Sequence, residues 1–191
     1  MMRPYPRELE EIVTTSDGQR LLLRPVRPDD EAAFRANFAK FSPEAVRRRF
    51  FRSMKSLTQA AAAKLTHFDY EREMALVLTD PVAPEDGPPE GYGVGRIVID
   101  PERHSAEFAL IVRDDMSGKG LGTLLMQRLI AYARERGVRE LVGDVLPDNH
   151  RMLALCRSLG FTVELGHHGS DPVRVSLRLA DPAEPGPSSA S

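Results

Sequence analysis

The 191-residue chain has very little cysteine, no long apolar run and no large excess of either charge. Its one thiol, Cys156, can form no internal disulfide and cannot by itself build a structural zinc site, so no metal is expected. The longest apolar stretches, such as residues 60–63, fall far short of the ~20 residues that a membrane helix needs. The opening Met1-Met2-Arg3-Pro4-Tyr5-Pro6 lacks the apolar core of a secretory signal. Basic and acidic residues number 26 and 28, a net charge of −2, which argues against a domain-wide nucleic-acid footprint while leaving room for a local basic patch. The expectation is a single cytoplasmic globular domain with neither nucleic acid nor membrane as partner, monomeric or homodimeric. Apolar residues at 41% and charged residues at 28% are ordinary for a folded protein, so disorder of the whole chain is not expected.

Prolines and glycines punctuate the chain. Pro4 and Pro6 predict a flexible segment over residues 1–11. Four prolines and Gly87 within residues 81–90 predict a loop. Residues 181–191, rich in Pro, Gly, Ser and Ala, predict a disordered tail, which leaves residues 12–180 as the folded domain. Within it, Asp17-Gly18 marks a hairpin turn between strands near 12–15 and 20–24. Pro28, Asp29 and Asp30 open a helix with the stripe Phe34, Phe38, Phe41; Ser42-Pro43 and Thr58 start two more. Strands follow at 74–79, 93–100 and 106–113, the last with an apolar run nearly continuous enough for burial on both faces. A long helix starts at Leu121 and ends before Gly137, with Leu121, Leu124, Leu125, Leu129, Tyr132 and Ala133 on one stripe. A strand at 140–146, a short helix capped by Asp148 or Asn149, and strands at 161–165 and 173–179 complete a mixed α/β sheet.

Between the third central strand and the long helix lies Ser117-Gly118-Lys119-Gly120-Leu121-Gly122. A strand, then glycines, then a helix N-terminus is a ready anion site, because the first amides of the helix lack internal partners and glycine lets a phosphate approach the backbone. The spacing is neither that of a P-loop, which needs Gly-Lys-Ser/Thr, nor the G-x-G-x-x-G of a dinucleotide fold. A second glycine run, Gly91-Tyr92-Gly93-Val94-Gly95, reads as a loop and strand entry. Arg47, Arg48, Arg49 and Arg52 form a local basic cluster, either a solvated helix face or a patch for an acidic partner or phosphate.

The string EFALIVRDD at 107–115, SGKGLG at 117–122, a long helix, and NHRMLALCRSLGF at 149–161 resemble a GNAT acyltransferase over roughly residues 21–179. The RPVRPDD (24–30), FSPE (41–44), RFF (49–51) and FDYEREMAL (68–76) strings resemble the GNAT domain of bacterial Pat-type protein lysine acetyltransferases. The resemblance implies a mixed, mostly antiparallel sheet that splays open at the cofactor site, with acetyl-CoA as donor. It implies that the pantetheine arm pairs with the backbone of Leu110, Ile111 and Val112. The pyrophosphate would sit on the amides of Gly118, Lys119, Gly120, Leu121, Gly122 and Thr123, Lys119 could add charge to the phosphates, and Ser117, also in this cofactor loop, stands where the family has Gln or Arg. Asn149 matches the asparagine before the last helix, and Glu107 the general base. Glu107 is also a carboxylate in an otherwise apolar strand, where burial would favour its protonated form; the alternative is a solvated edge position or a cross-strand pair with Arg96. Cys156 stands where many members place a tyrosine acid, or is simply a core residue. Asp69, Tyr70 and Glu73 could line the acceptor site. The expected activity is acetylation of a protein lysine, with a small-molecule amine as alternative acceptor and a non-catalytic acyl-CoA-binding module as the alternative to an enzyme.

Overall fold

The computed structural model describes residues 4–166 and 168–179. In chain order the strands are β1 (Glu11–Thr14), β2 (Arg20–Pro25), β3 (Glu73–Thr79), β4 (Gly91–Ile99), β5 (Ser105–Val112), β6 (Glu140–Val145), β7 (Thr162–Glu164) and β8 (Val173–Arg178). The helices are α1 (Glu31–Phe38), α2 (Pro43–Phe50), α3 (Gln59–Thr66), α4 (Leu121–Glu135) and α5 (His150–Ser158). The strands form one sheet in the order β1-β2-β3-β4-β5-β6-β8-β7, with every neighbouring pair antiparallel except β5–β6. This is the expected mixed α/β sheet. The tail at 181–191 lies outside the described residues.

Local chemistry accounts for the helix ends. Ser42, Thr58 and Asn149 accept hydrogen bonds from the amides of Ala45, Ala61 and Met152, so each caps its helix with a side-chain oxygen. Of the two candidates before α5, the cap is Asn149, not Asp148. Gly137 and Gly160 take left-handed φ values of 71° and 88° and close α4 and α5 with paired bonds: Val138 N to Ala133 O with Gly137 N to Arg134 O, and Phe161 N to Cys156 O with Gly160 N to Arg157 O. Asp30 opens the helix as expected, accepting from Arg27 N at 2.7 Å in a capping box, and does more. It is buried and bidentate to Arg24 at 2.6 and 2.7 Å, pinning the start of α1 to β2, and Phe41 falls beyond the end of the helix.

The main core lies between the sheet and α4 and α5; smaller clusters fill the space beneath α1, α2 and α3. Gly95 makes the α4 contact possible, since a Cβ there would stand 3.1 Å from Leu110 Cδ1 and from Leu129 Cδ1. The second glycine run is therefore packing surface inside a central strand, not a loop. The segment expected to be flexible is docked from Tyr5 onward: Tyr5 packs edge-on against Tyr70, donates to Glu10 at 2.8 Å and lies under the Arg27 guanidinium. Among the described residues no helix is long and apolar enough to cross a membrane, and no group of three His, Cys, Asp or Glu could hold a metal ion.

The strand expected to be buried on both faces, β5, is buried on one. Ala106, Phe108 and Leu110 turn into the core, while Glu107 is exposed and Ala109 and Ile111 are half-buried beneath α2. The apolar run gave no sign of this alternation because both faces carry mostly apolar residues. Strands β5 and β6 pair only at Ser105–Glu140, Ala106–Leu141 and Glu107–Val142. Beyond Glu107 they part, although β5 stays paired with β4, and β6 with β8. The Phe108 ring sits at this fork, where a Cβ on Gly143 would come within 2.5 Å of it.

Candidate active site

The fork fixes which backbone groups are free. Arg113 N donates to Tyr92 O at 2.9 Å, so by antiparallel alternation Ile111 is bonded to β4, whereas Leu110 and Val112 turn their N–H and C=O groups toward the gap left by β6. Of the three residues expected to pair with an extended ligand, these two present the backbone groups. They form one wall of a groove of about 390 Å³, whose other walls are the 114–123 loop, the start of α4 and the first turns of α5.

The loop is built to receive an anion. Gly118 and Gly120 have φ of 75° and 82°, and nothing lies within 4 Å of where a Cβ would be on either. Gly120 is the N-cap of α4 with no side-chain capping bond, so among the described residues the first-turn amides of Leu121, Gly122 and Thr123 have no helix acceptor, and the positive end of the dipole faces the groove. Gly122 also lets α4 approach α5: a Cβ there would lie 3.1 Å from Leu155 Cδ1. Acetyl-CoA fits this arrangement, with strand-edge groups for its pantetheine amides and an uncapped helix N-terminus for its pyrophosphate.

One expectation for the loop changes. Lys119 does not face the groove; it forms an ion pair with Asp17 at 2.8 Å, tying the loop to the β1–β2 turn. That pairing holds the Asp17 carboxyl down at about 2. The cations that do border the groove are Arg48 and Arg151, and Arg151 donates to the hydroxyl of Ser117 beside the loop. Sequence reasoning missed Arg151. A signal was present, since an arginine in the first turn of a helix opposes the dipole and so calls for another reason to be there.

A second cavity of about 200 Å³ adjoins the groove. Arg48, Leu110, Asn149 and Met152 line both. Glu107 lines the second cavity only, together with Arg49, Phe50, Phe51 and Asp144. Glu107 is exposed, so the argument for its role from burial fails, and the alternative pairing with Arg96 does not form: Arg96 is bonded to Glu73 and to Leu65 O. Glu107 instead has its place at the fork, at the last β5 residue paired with β6 and three residues before Leu110, where the free strand edge begins.

Cys156 is fully buried in the core and lines neither cavity, and desolvation pushes its thiol up to about 11. Where the family pattern suggested an acid, α5 presents Met152 to both cavities and Leu155 to the groove. Asn149 borders both cavities while its side chain caps α5. The basic cluster is partly neutralised: Arg47 pairs with Glu44 and, at 2.5 Å, with Asp148, while Arg48 pairs with Glu44 and donates to Asp148 O. These contacts draw α2 against the loop before α5 and close the rim between the cavities. Tyr70 donates to Val26 O and Glu73 is taken by Arg96, so neither they nor Asp69 lines the second cavity.

A sheet split beside a central strand, with an uncapped glycine-rich helix start in the split, suits an extended, polyanionic thioester such as an acyl donor. Comparison with known proteins gives the same class. The acetyltransferase (GNAT) domain profile matches residues 20–162. The acetyltransferase PA5475 of Pseudomonas aeruginosa is 31% identical over 169 residues, 88% of each chain. The acetyltransferase Pat of Mycolicibacterium smegmatis is 33% identical over 155 residues, 78% of this chain but only 43% of that protein. The solved GNAT domain of Streptomyces lividans PAT superposes with a TM-score of 0.79 at 27% identity, covering 92% of this chain and 100% of that one. The chain belongs to the GNAT acetyltransferase family.

Proposed function

We propose that the chain transfers the acetyl group of acetyl-CoA directly to the ε-amine of a lysine carried on a polypeptide, with Glu107 as the general base. The single observation behind the choice of acceptor is the openness of the floor around Glu107. Val98, its cross-strand neighbour, is 47% exposed, and Phe51 on the rim is 48% exposed. A folded or extended polypeptide can bring a side chain to such a floor, whereas a small amine held on its own calls for a more enclosed pocket.

Acetyl-CoA supplies the acetyl group as a thioester. Leu110 and Val112 would hold its pantetheine arm along β5, and the amides of residues 118–123 its pyrophosphate, with Arg151 as the nearby cation. Glu107 takes one proton from the acceptor ammonium, the neutral amine attacks the thioester carbonyl carbon to form the C–N bond, the carbon–sulfur bond breaks, and the nitrogen gives its second proton to water. No cysteine or tyrosine among the described residues lines either cavity, so the leaving thiolate takes its proton from water. The support is the continuity of the two cavities and the position of Glu107 where the donor groove opens.

The test is thiol release from acetyl-CoA in the presence of lysine-containing polypeptides, with the acetylated residues located by mass spectrometry. Acceptor-dependent release and ε-acetyl-lysine are expected. Release with small amines alone would overturn the polypeptide reading, and acetyl-CoA binding without release by any amine would overturn the enzyme reading.

A further inference from the structure

We infer that Arg49 is a carboxylate anchor for the acceptor, so that the favoured amine carries a carboxylate a few ångströms away. The inference rests on the acceptor-side placement of Glu107 proposed above and narrows the substrate class.

Three other arginines show what is unusual about Arg49. Arg24 is buried and bidentate to Asp30, Arg96 is buried and paired with Glu73, and Arg48 is paired with Glu44. Arg49 is half-buried on the last turn of α2 and, among the described residues, makes neither a hydrogen bond nor an ion pair. Its contacts are the Phe50 ring, 4.7 Å from the guanidinium carbon, and the longer-range field of Glu107. Desolvation lowers its pKa to about 10. A partly desolvated guanidinium without a carboxylate is under-compensated, and a carboxylate arriving from the cavity supplies the charge-assisted hydrogen bonds it lacks.

The position of Arg49 says whose carboxylate. It does not line the donor groove, so the phosphates of acetyl-CoA are not its partner. It shares the 200 Å³ cavity with Glu107, yet the two do not form an ion pair. The cavity thus offers a proton acceptor and a planar double donor to one molecule, which matches an amine and a carboxylate held close together. Arg49 also borders a second, apolar space of about 70 Å³ beneath α1–α3, walled by Phe34, Phe38, Phe41 and Phe50, with room for a small apolar group of the same acceptor. An acceptor with only positive charges would gain from the Glu107 and Asp144 carboxylates of the cavity but would leave the Arg49 guanidinium without a partner.

Two sources share this chemistry: an aspartate or glutamate beside the acceptor lysine, and the α-carboxylate of a free amino acid. Two matched series separate them. One is a set of lysine peptides with Asp or Glu flanking the lysine, against the Asn and Gln isosteres; the other is free amino acids against their α-carboxamides. In at least one series the carboxylate member should have a kcat/KM about tenfold or more higher, the scale of a charge-assisted hydrogen bond. In Arg49→Gln that ratio should fall toward one, and Arg49→Lys should keep part of it. Acetyl-CoA affinity, which Arg49 does not touch, shows that each variant is folded. Calorimetric binding of the N-acetylated products, acid against amide, reads the anchor without turnover. It therefore stands even if Glu107 is not the base, and Glu107→Gln should slow both members of a pair equally. A ratio near one in the native chain in both series, or a ratio unchanged in Arg49→Gln, would overturn the inference.

Discussion

Replacing Glu107 with Gln tests the chemistry at the fork with little disturbance elsewhere. The side chain is exposed and lines the acceptor cavity alone, so the isosteric change should shift stability by no more than about 0.5 kcal/mol and leave acetyl-CoA affinity intact. The consequence for rate follows from the acceptor. A lysine with pKa ~10.4 is only about 0.04% neutral at pH 7, an equilibrium penalty of roughly 4.6 kcal/mol for a nucleophile that must be unprotonated. A carboxylate that takes the proton within the complex makes attack by bound ammonium feasible, and general bases contribute roughly 10²- to 10⁴-fold. Glu107→Gln should therefore lower kcat/KM at pH 7 by about 10²-fold or more. The pH dependence is the sharper readout. With the base ionised and the lysine protonated, the proton content of the reacting pair is constant, so the native profile should be flat through neutral pH. Without the base only free amine reacts, and log kcat/KM should rise by one per pH unit up to about pH 10. The defect should thus shrink about tenfold for each unit of pH. Thiol release measured from pH 6.5 to 10 decides this: parallel profiles, or unchanged activity at pH 7, would refute the assignment.

Two further substitutions probe the donor groove and the fork. Gly120→Glu places a carboxylate and a Cβ in the open cradle at φ 82°; the left-handed strain should cost about 1–2 kcal/mol of stability. Acetyl-CoA affinity by calorimetry should drop at least tenfold, while undiminished binding would show that the loop is not the phosphate cradle. Gly143→Ala drives a methyl group against the buried Phe108 ring at 2.5 Å, an overpacking worth about 1–3 kcal/mol. The melting temperature should fall by about 2–12 °C, with part of it recovered by Phe108→Leu; native-like melting would show that the ring does not fill the fork.

Signals that are local in the chain were readable in the sequence. The caps Ser42, Thr58 and Asn149, the closing glycines 137 and 160, and the α4 stripe depend on neighbours within a few residues, and each stands where its chemistry predicts. Long-range pairings were not readable. Nothing near Lys119 announces Asp17 as its partner, and nothing near Ser117 announces Arg151. Nor does the apolar run of β5 reveal that alternate residues face a core and a cavity, because Ala109 and Ile111 look like core residues on either side. Cys156 was placed correctly on α5, but one helical turn separates a residue that faces the core from Met152, which borders the site. Motif position alone does not settle that rotation.

The position of Glu107 bears on how an apolar strand could carry the proposed base. Two physical routes prepare a carboxylate for proton transfer: desolvation, which alters its affinity for the proton, and placement, which supplies it at high effective concentration beside the reacting nitrogen. The sequence suggested the first, because a lone acid among Phe, Ala, Leu, Ile and Val reads as buried. The structure supports the second. Parallel pairing with β6 ends at Glu107, and the free backbone edge begins three residues on, at Leu110 of the same strand. The strand that would hold the thioester thus also carries the carboxylate, at a separation fixed by the 3.2–3.4 Å rise of a β-strand rather than by a mobile loop. Phe108, between them, wedges into the core over Gly143. A change that let this ring move would loosen the base and the donor edge together, so Gly143→Ala should depress turnover as well as stability even though it touches neither reactant.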